Sequence, residues 1–390
     1  DTGQYNVAIG REALKTQDGG EYNVAVGRTA GMLVTTGVKN VLLGALSGDA
    51  LTDADLNVAV GHQSLSADTL GSRSVAVGAF ALQAQNFTTA TNSYNVAVGV
   101  DAGLLVTTGV QNTIVGGLAG DAMTTANYNT AVGYRSLSAE TTAQYNVAVG
   151  YNALFSQNFT TSAQSYNVAV GAQAGEDIST GIYNTFVGGL SGNDNTVGQR
   201  NVGIGLQALE QNTASDTNIG IGVNALRKHN LTTTGDAYNV AVGDEAGAEI
   251  TTGVFNTIVG GLAGNALTDA DHNVAIGEDA LGSDTLGSQS VAIGRTALFT
   301  QNFTTATNTN NVAVGYQAGK SVTTGISHTL IGTDAGDAIT TAQRNVAVGY
   351  AALTSNQTGT GNVAVGVGAN RGPKYRYWGS CRVSSNLWRK

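Results

Sequence analysis

The sequence predicts an all-β fold, a parallel β-solenoid of about 21 stacked coils of 17 or 21 residues, and three observations predict it. A five-residue phrase close to Asn-Val-Ala-Val-Gly returns at a fixed period. The fifth residue of the phrase is Gly in every copy, from Gly10 to Gly366. No 3.6-residue apolar period persists, and Gly is everywhere, which disfavours a helical repeat.

The phrase starts at Asn6, Asn23, Asn40, Asn57 and Ser74, and continues to Asn362. Successive starts lie 17 residues apart, except for 21 after Ser74, Asn146, Asn218 and Ser290. Four coils therefore form a 72-residue block, beginning at Asn23, Asn95, Asn167, Asn239 and Asn311, with one leading coil before them. A unit this short cannot bury enough apolar surface to offset roughly 1–2 kcal/mol per residue of backbone entropy, so the units must stack. At about 4.8 Å per strand, residues 1–370 are expected to form a rod on the order of 100 Å long.

Within the phrase each position has its own expected task. The first residue is Asn in eighteen coils, the others being Ser74, Ser290 and His328, and stacked amides can hydrogen-bond along a ladder. Val24 and Val26, two apart, share one strand face. The invariant Gly asks for positive φ or a tight corner. Three residues later stands Ala or Ser, as at Ala30 and Ser47, which reads as a crowded slot. The following position is Gly in the first two coils of a block (Gly31, Gly48), with Val34 or Leu51 three residues on. In the third and fourth coils it is Leu (Leu65, Leu82), with polar Asp68 or Gln85 three residues on; Asn195 is the exception to the pattern. One core space is thus filled from alternative places, as close packing requires.

The middle residue of the phrase is never polar. It is Ala in fourteen coils, Gly203 and Gly220 in two, and Leu42, Ile114, Phe186, Ile258 and Leu330 in five, spaced 72 residues apart. A strand apolar on both faces is buried on both. The five large residues are therefore expected at an interchain contact, self-association of the chain; a second internal strand covering that face is the alternative.

Composition narrows the function classes. Gly 54 without Gly-X-Y spacing, and Pro 1, exclude collagen and proline-rich linkers. Charged residues at 12% and hydrophobic residues at 42% do not describe a disordered chain. No apolar run approaches the ~20 residues of a membrane span, so no membrane insertion is expected in this segment. The net charge of −9 argues against nucleic acid as a partner. Four dispersed histidines, expected to be solvated or stacked, give no metal spacing. Gly315-Tyr316-Gln317-Ala318-Gly319-Lys320-Ser321 is one residue short of a phosphate-binding loop, so no cofactor is expected. The pairs Asp53/Asp55 and Asp269/Asp271 occupy equivalent loop positions in two blocks, which suits duplicated loops better than a catalytic carboxylate pair, and the chain is read as non-enzymatic.

The phrase Asn-Val-Ala-Val-Gly-x-x-Ala resembles the head repeats of trimeric autotransporter adhesins of the YadA-like type, and the 17-residue unit resembles repeats of phage tail fibres and bacterial surface fibre proteins. The resemblance covers Tyr5 to about Asn370. It implies a left-handed β-roll and a homotrimer, and with them an extracellular location, at a cell surface or on a virion tail.

Three sets of residues ornament the coils. Tyr precedes the phrase at Tyr22, Tyr94, Tyr128, Tyr145, Tyr166, Tyr183 and Tyr238, a stripe that could contact glycan or simply pack a corner. Asn86, Asn158, Asn230 and Asn302 open Asn-x-Thr sequences placed at the four-residue insertions, and Asn356 opens a fifth; all are acceptor sequences for N-glycosylation. An apolar second residue, such as Phe87, suggests that the insertion folds back on the coil. Adjacent Thr pairs lack the alternation that an ice-binding face needs. Residues 371–390 differ sharply, with Arg371, Lys374, Arg376, Arg382, Arg389 and Lys390, no acid and both tryptophans. They are expected to be a cap or the start of a tip module. The expected function is structural, the shaft of an extracellular adhesin or tail fibre; the alternative is a carbohydrate-binding, or less plausibly ice-binding, solenoid.

Overall fold

Val, Ile and Thr at the outer positions of each phrase favour extended backbone. The structure, a computed structural model describing residues 3–370, draws every phrase into a three-residue strand, from Val7–Ile9 to Val363–Val365. The chain divides into two units, Asp1–Ala237 and Tyr238–Lys390. The first holds thirteen of these strands, ending at Ile219–Ile221, and the second holds eight, beginning at Val240–Val242. Inside each unit the strands pair in parallel and in phase. Val24, Ala25 and Val26 lie beside Val41, Leu42 and Leu43, and Val240, Ala241 and Val242 beside Thr257, Ile258 and Val259. Every side chain is thus stacked on its counterpart one coil away, a parallel β-solenoid of about 21 turns with no helix among the described residues. The expected cap at 371–390 lies outside the described residues.

The invariant Gly turns the corner after each strand. All of them have φ between +124° and +143°. Space forbids a side chain as well: a β-carbon on Gly27 would lie 2.5 Å from the carbonyl oxygen of Gly44, the same corner one coil on. Backbone therefore stacks on backbone at this edge, and the glycine column is a requirement of both torsion and contact.

The core corrects the expected face assignment. Leu42, Ile114, Phe186, Ile258 and Leu330 are 0% exposed inside the coils of a single chain, as are most middle-position alanines. They do not face a second chain. What they fill is the room left by two glycines. A β-carbon on Gly31 would come 2.6 Å from Leu42 Cδ1, and one on Gly48 2.8 Å from Leu42 Cδ2. In the other two coils of the block, Leu65 and Leu82 fill that room themselves and the middle residue shrinks to Ala59 and Ala76, all of them buried. The corner is left-handed in both versions, at φ +57° for Gly31 and +54° for Leu65, so the leucines accept backbone strain of roughly 1–2 kcal/mol in exchange for burial. The outward face of the strand is the valine pair: Val24 and Val26 are half-buried while Ala25 between them is enclosed.

The insertions also begin later than expected. Asn86 Oδ1 accepts a hydrogen bond from Thr69 Oγ1, one regular coil away, so Asn86 belongs to the regular coil. Leu70 marks both ends of the extra loop, its amide donating to the Phe87 carbonyl and its carbonyl accepting from the Thr91 amide. The additional residues lie between those two contacts. Phe87 and Phe303 are buried against the coil, as the apolar position predicted, whereas Phe159 and Leu231 are half-buried. After three insertions a second short parallel ladder forms, as between Gly71–Ser72 and Thr91–Asn92.

Candidate functional site

Chemistry here is arranged in columns, because any residue type that recurs at one phase is stacked at strand spacing. The first column is the amide ladder. Asn23 Oδ1 accepts the backbone N–H of Asn40 at 2.9 Å, and Asn23 Nδ2 donates to the Gly37 carbonyl at 2.8 Å. Asn40 repeats both contacts with Asn57 and Ala54, and Asn256 repeats them with Asn273 and Ala270 in the second unit. The amides bond chiefly to backbone, with a longer amide-to-amide contact such as Asn40 Nδ2 to Asn23 Oδ1 at 3.1 Å. His328 takes the same position with a ring. Its Nδ1 accepts the Asn345 N–H at 3.3 Å and its Nε2 lies 2.8 Å from the Ala342 carbonyl. Burial holds its pKa below the usual imidazole value, which keeps the ring neutral, with Nδ1 as acceptor and Nε2–H as donor. The histidines do not behave alike: His328 and His229 are buried, His272 stacks on Phe255 at 4.9 Å, and His62 meets Phe80 edge-on. Solvation, one of the two expected states, does not hold for the first two.

A second column is polar and enclosed. Asp68 and Gln85, expected only to balance core volume, are both fully buried. Asp68 accepts from the Gly71 amide at 3.0 Å, the Phe87 amide at 3.1 Å and Gln85 Nε2 at 2.6 Å. Gln85 Nε2 also donates to Ser74 Oγ, and its Oε1 accepts from Asn95. Asp284 and Gln301 repeat the arrangement in the second unit, and Glu140 with Gln157 varies it. Burial raises the pKa of Asp68 and Asp284, opposed by the hydrogen bonds from Gln85 or Gln301 and from backbone amides. Since Asp68 and Asp284 gather the amide of Phe87 or Phe303, they tether the start of the insertion. The signal in the sequence was the 72-residue recurrence Asp68, Glu140, Asn212, Asp284, Asn356, polar throughout though variable in charge.

Asn356 belongs to this inward column. Its Oδ1 accepts the Gly359 amide at 2.7 Å, unlike Asn86, Asn158, Asn230 and Asn302, whose oxygens accept from Thr69, Thr141, Thr213 and Thr285 in the regular coil. Of the five acceptor sequences, Asn86, Asn158 and Asn302 present an exposed side chain. Asp53 and Asp55 are also coil-to-coil contacts: Asp53 accepts from Thr36 Oγ1 at 2.7 Å, and Asp55 accepts the Val38 amide at 2.8 Å. Asp269 and Asp271 do the same with Thr252 and Val254. The threonine hydroxyls are engaged too, Thr52 Oγ1 donating to the Thr69 carbonyl and Thr124 Oγ1 to the Thr141 carbonyl.

The aromatic column is the outermost. Where Tyr precedes the phrase, in eight coils, its φ lies between +48° and +65°, a left-handed residue that swings the ring off the coil. Tyr128, Tyr166 and Tyr183 are exposed and Tyr145 between them is half-buried, and the four rings stack at centroid distances of 4.9, 4.8 and 6.0 Å with interplanar angles of 6°, 6° and 17°. Tyr5 and Tyr22 stack at 5.0 Å. Tyr94 has Arg73 over its ring, and in the second unit Tyr238 stacks on Phe255. Within the first unit, the rings from Tyr128 to Tyr183 thus pack on one another from coil to coil. A second stack, Tyr134 on Tyr151 at 6.0 Å, went unread in the sequence although both follow the invariant Gly.

Among the described residues no helix is long and apolar enough to cross a membrane. No group of three or more His, Cys, Asp or Glu among them gathers to hold a metal. Comparison with protein families, with curated proteins and with solved structures gives no match to this chain.

Proposed function

We propose that this chain is a non-enzymatic structural segment of an extracellular fibre, the shaft of an adhesin or of a tail fibre at a cell surface or virion, which holds a binding element away from the surface that anchors it. The observation that carries this reading is the repetition of the same Asn contacts in coil after coil, at Asn23, Asn40, Asn112, Asn184 and Asn256. Load applied along a solenoid is then shared by equivalent bonds, and no single coil is special. The likeness of the phrase to YadA-like head repeats supports the same role. It also supports a left-handed coil and a homotrimer, in which the half-buried valine face, Val24 with Val26 and its repeats, is the surface for self-association.

The exposed tyrosine column favours a second reading, carbohydrate binding. Sugars stack on ring faces, however, and at Tyr128 to Tyr183 those faces are turned on one another, which leaves edges and hydroxyls outward. Molar mass by light scattering, together with electron micrographs, tests the shaft: an elongated multimer without glycan affinity agrees with it. A monomeric globule, or array binding to glycans abolished by Tyr→Ala changes in the column, overturns it.

A further inference from the structure

We propose that the tyrosine column is a site of oxidative cross-linking, at which adjacent coils of one chain are joined by dityrosine bonds when a haem peroxidase and hydrogen peroxide are supplied. Three features converge on it. Every ring but Tyr145 is exposed, and Tyr145 is half-buried between exposed Tyr128 and Tyr166, so a one-electron oxidant can reach at least one ring of every pair. They are near-parallel neighbours, Tyr145 lying 4.9 Å from Tyr128 and 4.8 Å from Tyr166. Each belongs to a different coil, so a bond between two of them closes a loop of one coil and fastens one rung to the next.

The chemistry balances. Each phenol gives up one electron and its hydroxyl proton, producing two phenoxyl radicals side by side. The radicals join through a carbon ortho to each oxygen, forming one carbon–carbon bond. The hydrogens on those carbons then move to the oxygens and restore both hydroxyls. Overall, two electrons and two protons leave the pair, and one hydrogen peroxide takes them up to become two waters. Stacking favours this outcome, because a radical formed on one ring meets its partner without diffusion. The rings before the phrase sit at the periphery on left-handed residues, and Tyr134 and Tyr151 are exposed beside the glycine corner, so they can tilt edge to edge without disturbing the buried alanine column.

The chain contains its own controls. Tyr94 has Arg73 over its ring, and the same position in the next coil is Gln111. Tyr238 stacks on Phe255, which has no phenol to couple. Mapping the peptides of the whole chain after peroxidase and peroxide treatment at high dilution tests the proposal. Linked pairs of peptides, each pair lighter by two hydrogen atoms than its two members, are expected at Tyr5–Tyr22, Tyr128–Tyr145, Tyr134–Tyr151, Tyr145–Tyr166 and Tyr166–Tyr183. None is expected at Tyr94 or Tyr238. Tyr145→Phe keeps a ring in the stack, and should remove both links through that position while leaving Tyr166–Tyr183. Phe255→Tyr should create a new link to Tyr238. Coupling at Tyr94 or Tyr238 as readily as in the column, links only between chains, or no gain from Phe255→Tyr would each overturn it.

Discussion

A β-carbon on Gly203 would stand 2.9 Å from Cδ1 of Phe186, its partner in the preceding coil. Phe186 is the largest of the five side chains that fill the glycine-lined room, and only its block replaces the middle alanines of the following coils with Gly203 and Gly220. Ser191 Oγ, which donates to the Gly203 carbonyl, would stand closer still at 2.7 Å, so the glycine makes room for the ring and the hydroxyl together. Gly203→Ala should destabilise the chain by about 1–3 kcal/mol through overpacking. Combined with Phe186→Leu, the residue type at Leu42 and Leu330, the penalty should shrink, since the hydroxyl of Ser191 can turn to the Gly188 carbonyl as Ser47 does to Gly44. Denaturation midpoints of the four chains give the coupling; simple additivity would refute the complementarity.

His328 should make stability fall on the acid side of neutrality. Its folded pKa lies below the unfolded value near 6.5, so its contribution is complete above about pH 6.5 and is lost as the pH falls through the lower folded value. Protonating Nδ1 removes the acceptor for the Asn345 amide. His328→Asn, which restores the residue of the neighbouring coils, should flatten this dependence. Melting temperatures of both chains between about pH 5 and about pH 8 read it directly.

Asp68 and Asp284 should act in the opposite sense. Their folded pKa values lie above the unfolded one, so the stabilisation they give is complete below about pH 3.9 and is lost as the pH rises through the folded value. Comparing Asp68→Asn with the parent chain, the difference in stability should move in favour of the variant between about pH 4 and about pH 7. Asp68→Ala should cost about 1–3 kcal/mol for each buried donor left bare, those being Gly71, Phe87 and Gln85. Hydrogen exchange should then be fastest at the Phe87 amide.

The solenoid and the boundaries of its coils were legible because Asn, Gly and the apolar positions recur at constant phase, and a constant phase can only be a stack. The glycine corners and amide ladder followed from the same regularity. What a single line of sequence could not tell is which strand face is inside. Val24 and Ala25 are both apolar, and hydrophobicity alone placed the larger residue inward. The structure turns the alanine inward because the enclosed space is already filled by Leu65, or by Leu42 reaching over Gly31 and Gly48. The left-handed Tyr positions were equally hidden, since nothing in a Tyr side chain announces positive φ.

That inversion yields a direct test of which surface serves self-association. Val147 and Val149 are half-buried and outward, and Ala148 between them is fully enclosed. Ala148→Leu adds bulk where Leu154 already fills the coil, and should destabilise by about 1–3 kcal/mol or more. Val149→Lys, with the equivalent change Val170→Lys in the next coil, leaves the packed interior intact and puts two charges on the proposed contact. Circular dichroism should remain that of the parent chain while light scattering reports a smaller particle, because charge is depleted at the core of stable interfaces. An unchanged molar mass with the fold preserved would place self-association elsewhere on the coil, and unfolding by the lysines would mean that the valines, not the alanine, belong to the interior.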